Sequence, residues 1–221
     1  MANNGENYEL TAPVIALYPN LMVAKKVKKN GREVGEAKFS LNLAVRLDHP
    51  DLLPMKRLCA KLALEKWPGR DLRLQAPNPD ALAFPFTDGT ILADKAKAKV
   101  EARAEGAKLA EFNRGFIIIP CRSKFQPAME CFINGKPTIL DTPELRELHK
   151  DKFFMGAECF VRINFLAYDR ADDRGADGVT ARLNMVSVTG KGTRIGGSPA
   201  TSMLGGAQGH TTMEDPTADP F

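Results

Sequence analysis

Residues 37–47 alternate between two chemistries. Ala37, Phe39, Leu41, Leu43, Val45 and Leu47 fall on one side of an extended chain, and Lys38, Ser40, Asn42 and Arg46 on the other. Successive strand side chains point to opposite faces, so this stretch reads as a strand with one face in a core and one in water. The pattern recurs twice towards the other end. Cys159, Val161, Ile163, Phe165 and Ala167 alternate with Phe160, Arg162, Asn164, Leu166 and Tyr168, and Val179, Ala181, Leu183 and Met185 alternate with Thr180, Arg182 and Asn184. The odd-numbered residues are expected inward in each case. Ahead of the first strand lies another extended run, "VIALYPNLMVAKKVKK", and Asn30-Gly31 joins the two. That pair favours a tight hairpin turn, because both central positions need positive φ. A fifth run, "GFIIIPCRSKF", is apolar until Arg122 and Lys124.

Helical spacing interrupts the strands. In "HPDLLPMKRLCAKLALEKW" the prolines sit at the start, and Met55, Leu58, Cys59 and Leu62 make one apolar stripe. Trp67, at its end, is expected in the core. The Ala/Lys/Glu-rich segment at about 91–111 has few apolar anchors and reads as a solvated helical insertion, interrupted near Gly106. A short helix follows Thr142 as N-cap with Pro143 in first position. Some five strands with one or two intervening helices, all compatible with antiparallel pairing, suit a small, partly open β-barrel.

The net charge of +4 hides an asymmetry. Residues 195–221 carry −3, from Glu214, Asp215 and Asp219, and the rest of the chain carries +7. A basic body with an acidic end points to a polyanionic partner. Cations recur on the polar faces of separate strands: Lys26, Lys28, Lys38, Arg46, Arg122, Lys124, Arg162 and Arg182. Phe160 and Tyr168 lie among them, and single-strand binders combine such cations with stacking aromatics. Asn164 and Asn184 add hydrogen-bonding groups for bases or sugars. "KKVKKNGR" reads either as a phosphate grip or as an edge kept from pairing by its lysines.

Other chemistries find little support. The four cysteines (Cys59, Cys121, Cys131, Cys159) form no CxxC pair and the three histidines are scattered, so reduced core thiols are expected and no metal. "TGKGTRIGG" is not a phosphate loop, "GGSPATSMLGG" is not a nucleophile elbow, and Asp172-Asp173 sits in a hydrophilic loop. No catalytic constellation and no cofactor are expected. The N-terminus lacks a signal-peptide pattern and no apolar run is long enough to span a bilayer.

"FFMGAECFVRINFLAYD" followed by "GVTARLNMVSVTGKGTRIGG" resembles the C-terminal half of a bacteriophage single-stranded DNA-binding protein family, formerly a domain of unknown function. The matching positions are Gly156, Arg162, Tyr168-Asp169, Gly178-Val179, Leu183-Asn184 and Gly196-Gly197. "FNRGFIIIPCRSKFQPAM" also looks like the family's middle strand, and the likeness extends over most of residues 12–197, leaving the segment at 91–111 unmatched. The resemblance implies an OB-like barrel that coats single-stranded DNA in phage replication or recombination, with no chemistry of its own. "EDPTADPF" is similar in kind to the acidic, Phe-ended tails of single-strand-binding proteins, which dock on partners and fold back on the basic groove.

The expectation is therefore a mainly β protein: an OB-like five-stranded antiparallel barrel over residues 1–197 with one or two inserted helices, then a flexible linker and disordered acidic tail over 198–221. Its partner is single-stranded DNA, with duplex DNA and RNA as alternatives, in the host cytoplasm and away from membranes. Glu214, Asp215, Asp219, Pro220 and Phe221 are expected to dock replication or recombination proteins, and a homo-oligomer is compatible with the pattern. Two other readings are a virion or assembly protein and an OB accessory module of a replication enzyme.

Overall fold

The alternating strands close on one another. A computed structural model describes residues 5–29, 32–75, 78–99, 111–170 and 176–195. In chain order these contain β1 Gly5–Glu9, β2 Val14–Lys29, β3 Arg32–Arg46, α1 Leu52–Lys66, β4 Thr87–Asp88, α2 Gly89–Lys99, β5 Phe116–Ser123, β6 Ala128–Ile133, β7 Lys136–Ile139, α3 Pro143–Leu148, β8 Ala157–Tyr168 and β9 Gly178–Gly192. β2 pairs antiparallel with β3, and β3 with β5 in unbroken register from Phe39–Ser123 to Arg46–Phe116. β8 pairs antiparallel with β9 along its length and with β2 through Val14–Cys159 and Ile15–Glu158. β5 meets β9 at Cys121–Ala181, which completes a closed barrel in the order β8-β2-β3-β5-β9. The barrel is closed, where a partly open one was expected, and this last seam is parallel, where an antiparallel barrel was expected. The long connection between β5 and β9 brings the chain back in the same direction. β1 adds to β8, and a β6–β7 hairpin extends from β9.

Period-two alternation held where other elements cover the strand. Leu41, Leu43 and Val45 are fully buried, as are Cys159, Ile163 and Phe165. Ala37 and Leu47, expected inward, are exposed. Ala37 lies past the end of the β3–β5 ladder at Phe39–Ser123, and Leu47 lies beyond the end of β3, so neither residue has a core to face. In β9 the phase slips. Arg162 pairs with Met185 but Ile163 pairs with Leu183, leaving Asn184 as an extra residue. This bulge turns Met185 outward, contrary to expectation, and puts Val186 and Val188 in the core instead.

α1 closes the core with Leu52, Met55, Cys59, Leu62 and Ala63, packed on β8, β9 and β1. Leu58 and Trp67 pack partly buried against the same cluster. All four cysteines are buried and unpaired. Burial pushes the Cys59 and Cys159 thiols up to about 12, so neither is a thiolate at neutral pH. Outside the barrel, Leu17, Ala44 and Ile118 form a second small cluster under Leu92 of α2, Phe112 and Phe116. The insertion is thus anchored at its base, while residues 100–110 lie outside the described residues, as do Asn30-Gly31, Asp172-Asp173 and the segment 198–221. Thr142 caps α3 as expected, accepting the Leu145 N–H at 3.2 Å. A second Asn-Gly pair, Asn134-Gly135, turns the β6–β7 hairpin with φ of 50° and 76°.

One buried acid ties these layers together. Asp51, 2% exposed, accepts hydrogen bonds from Tyr8 Oη (2.8 Å), Thr11 N (2.8 Å), Thr11 Oγ1 (2.9 Å) and Ala12 N (3.3 Å). Burial alone would raise its pKa, but these donors outweigh it and hold the carboxyl below its usual value. Tyr8, desolvated and bonded to that carboxylate, is pushed up to about 12. Asp51→Ala is expected to destabilise the fold by about 2–4 kcal/mol, because it orphans several donors at once. The native pKa is depressed, so the carboxylate's contribution is full at neutral pH. It shrinks below about pH 4 and is gone below the lowered native value. Urea unfolding of both proteins at pH 7 and pH 3 checks this: the gap between them should narrow at the lower pH.

Candidate nucleic-acid interface

Strand register decides which polar side chains meet on the outside of the barrel. Ser40 faces Arg122, and the Cys121–Ala181 bridge sets Arg122 beside Arg182. Arg182 faces Asn164, which faces Asn7. One row therefore crosses β3, β5, β9, β8 and β1. At its cationic end lies a groove of about 330 Å³ lined by Lys38, Arg122, Lys124, Phe125, Leu166 and Arg182. Four expected cations thus converge. Among the described residues, Lys124 alone of the four has an acidic partner, Glu36 at 2.6 Å. The hydrogen bond from Lys124 holds the Glu36 carboxyl below the usual range. Both partners are well exposed, and such surface pairs contribute little and exchange readily.

Phe125 is the aromatic of this groove, and the sequence reading passed over it. It is 68% exposed, with the Arg182 guanidinium 5.4 Å from its ring centroid. The chain builds this position from both sides. The Phe125 N–H donates to Ser123 Oγ at 3.2 Å. Next in sequence, Gln126 donates to the Leu21 carbonyl at 3.0 Å and accepts from Arg146 of α3 at 2.6 Å. Phe125 lies just past β5, where alternation no longer assigns a face. The available signal was a lone ring between Lys124 and Gln126.

The remaining expected residues divide. Asn164 and Asn184 come together, both donating to Asn7 Oδ1 at 3.0 and 3.1 Å. The bulge at Asn184 makes this possible, and Asn7 was not anticipated because β1 is too short to show a period. Tyr168 is 38% exposed at the end of β8, on the same face as Leu166. Phe160 and Arg162 open onto a different depression, and Arg162 is held by Glu9 at 2.8 Å. Arg46 stands apart. It is paired with Asp48 at 3.0 Å and sits six residues along β3 from Ser40, about 20 Å at strand rise. In the projecting hairpin Lys26 is exposed, but register shifts place Lys25 opposite Lys38, so Lys25 shares the groove side. The Lys28 side chain lies outside the described residues. So do Glu214, Asp215, Asp219, Pro220 and Phe221.

No protein-family model and no curated protein matches this sequence. Solved structures do match. The single-stranded DNA-binding protein from bacteriophage Enc34 is 14% identical, aligned over 89% of this chain and 90% of that one with a TM-score of 0.53. A C-terminal truncation of that protein is 17% identical over 90% and 94% of the two chains, with a TM-score of 0.50. Its complex with single-stranded DNA is 17% identical over 89% and 96%, with a TM-score of 0.51. The chain has the fold of the Enc34 single-stranded DNA-binding protein, an OB-like barrel, at an identity that carries the architecture and leaves the residues to be argued on their own.

Proposed function

We propose that the chain binds single-stranded DNA across the outer face of its barrel, largely without sequence preference, and coats it during phage replication or recombination without chemistry of its own. The observation that carries this reading is the groove. Lys38, Arg122, Lys124 and Arg182 converge around an exposed ring on a fold whose Enc34 counterpart was solved with single-stranded DNA. Cations from three strands suit a backbone with regularly spaced charges, and an exposed ring accepts any base. Lys25 and Lys26 on the projecting hairpin extend the positive surface. Tyr168 offers a second stacking position beyond Leu166, and the amides of Asn7, Asn164 and Asn184 offer hydrogen bonds to bases or sugars. Arg46 has no part in this reading, since it stands on β3 about 20 Å from the row through Ser40.

The acidic segment around Glu214, Asp215 and Asp219 is proposed to compete for the same groove and to dock partner proteins when DNA displaces it. Past β9, the Ile195 N–H bonds the Met155 carbonyl at 2.9 Å and ties this stretch to the barrel. The residues that follow span more than enough length to reach any part of the barrel, at about 3.3 Å per residue.

Anisotropy of a labelled oligo(dT) of about 30 nucleotides, titrated at several salt concentrations, tests the reading. Binding should weaken log-linearly with salt, at a slope of about −0.7 per phosphate contact. Phe125→Ala should cost about 1–3 kcal/mol of binding. Arg122→Glu combined with Arg182→Glu should weaken binding strongly, while Arg46→Glu should change it little. Absence of binding at low salt by both the whole chain and a chain lacking residues 213–221 would sink the proposal. If the acidic segment competes, its deletion tightens binding at low salt; unchanged or weaker binding refutes that part alone.

A further inference from the structure

The second depression on the outer face has a different chemistry from the cationic groove. It encloses about 220 Å³ between Glu9, Glu130, Phe160, Arg162, Met185 and Ser187. Register builds it. Phe160 of β8 faces Ser187 of β9, which in turn faces Glu130 of β6, so the ring and the carboxylate lie two strand spacings apart, about 10 Å. Met185 reaches this surface because of the Asn184 bulge. Glu9 and Arg162 cancel one another, with Nε and Nη2 of Arg162 both donating to Glu9 Oε2 at 3.1 and 2.8 Å. Among the described residues, Glu130 has no cationic partner. Ser187 Oγ donates to its Oε2 at 2.5 Å, which orients the carboxylate, and Oε1 takes no hydrogen bond among the described residues.

A phosphate is repelled from such a place, so a strand crossing it must present a base. The geometry points to a base-selective subsite: one nucleobase stacks on Phe160 and Met185 with its Watson–Crick edge towards Glu130, and guanine is the base it prefers. This inference rests on the single-stranded DNA reading above. A carboxylate is an acceptor only, and it binds best to two adjacent donors. Guanine presents N1–H beside its N2 amino group. Adenine and cytosine place a ring acceptor next to their amino group, and thymine places a carbonyl on either side of its one donor. The row through Phe160 lies four residues along β8 from the row through Asn164 and Arg182, about 13 Å. One strand can therefore occupy both, with its backbone held at the cationic groove and one base read beyond it.

The test compares three 30-nucleotide strands on the intact protein by anisotropy: oligo(dT), a repeat of dT-dT-dA and a repeat of dT-dT-dG. Guanine is expected to improve affinity about tenfold over both others, a difference of about 1.4 kcal/mol. Adenine controls for purine stacking. Glu130→Gln should remove the advantage of guanine over adenine while keeping oligo(dT) affinity at least as high, since a repelling charge has gone. The strand comparison on the unaltered chain stands even if that variant misfolds. Equal affinity for the guanine and adenine strands overturns the subsite and leaves the coating function intact. A guanine advantage that survives in folded Glu130→Gln overturns its assignment to this depression. No binding to any strand at low salt overturns both readings together.

Discussion

A seam of two residue pairs, Val14 with Cys159 and Ile15 with Glu158, closes this barrel. Hydrogen-bonding edges in an open sheet invite pairing with other chains, and closure removes them. The seam is short because β8 shares that edge between two strands. Its first residues pair with β2, and Arg162 to Leu166 pair with β1. The chain crosses from one strand to the other at residues 10–13, and Asp51 at the start of α1 gathers Tyr8, Thr11 and Ala12 there. The N-terminal strand, the barrel closure and the helix that fills the core are thus held as one piece. An uncapped backbone at that crossing would leave buried donors without partners, which is costly enough to matter against a marginal net stability.

The same closure creates the outer face. With the apolar side chains of five strands turned inward, the polar ones form a continuous surface that winds across β3, β5, β9, β8 and β1. Its charge is uneven. Cations gather where β3, β5 and β9 meet, and carboxylates gather where β1 and β6 join the barrel. A single extra residue in β9 separates the two regions. The bulge at Asn184 aims that amide at Asn7 and turns the half-buried Met185 outward beside Arg162. Surface chemistry therefore changes within a few residues along one strand, from phosphate-attracting to phosphate-repelling. That contrast gives direction to any polyanion lying across it.

Much of the architecture was legible in the sequence because its cause is local. Alternation identified β3, β8 and β9 and most of their inward side, extended or apolar runs identified β2 and β5, helical spacing identified the stripe of α1, and Thr142-Pro143 marked the start of α3. The apolar neighbours of the cysteines anticipated their burial. β1 and the β6–β7 hairpin were not read, since strands of four to six residues show too little period, although Asn134-Gly135 was available as a turn signal.

What the tertiary structure alone decided is which polar side chains meet on the outer face. Eight cations stood on polar strand faces, and nothing local distinguished Arg122 and Arg182, which meet across the parallel β5–β9 seam, from Arg46, which does not reach them. Register, bulges and closure are set by contacts between residues far apart in the chain, and a period of two carries no information about which strand lies next to which. Phe125 shows the same limit, since its exposure depends on Ser123, Leu21 and Arg146 holding a loop that has no period. The chain by itself determined that it would be a basic barrel with one wet face. Folding determined where on that face the charge collects.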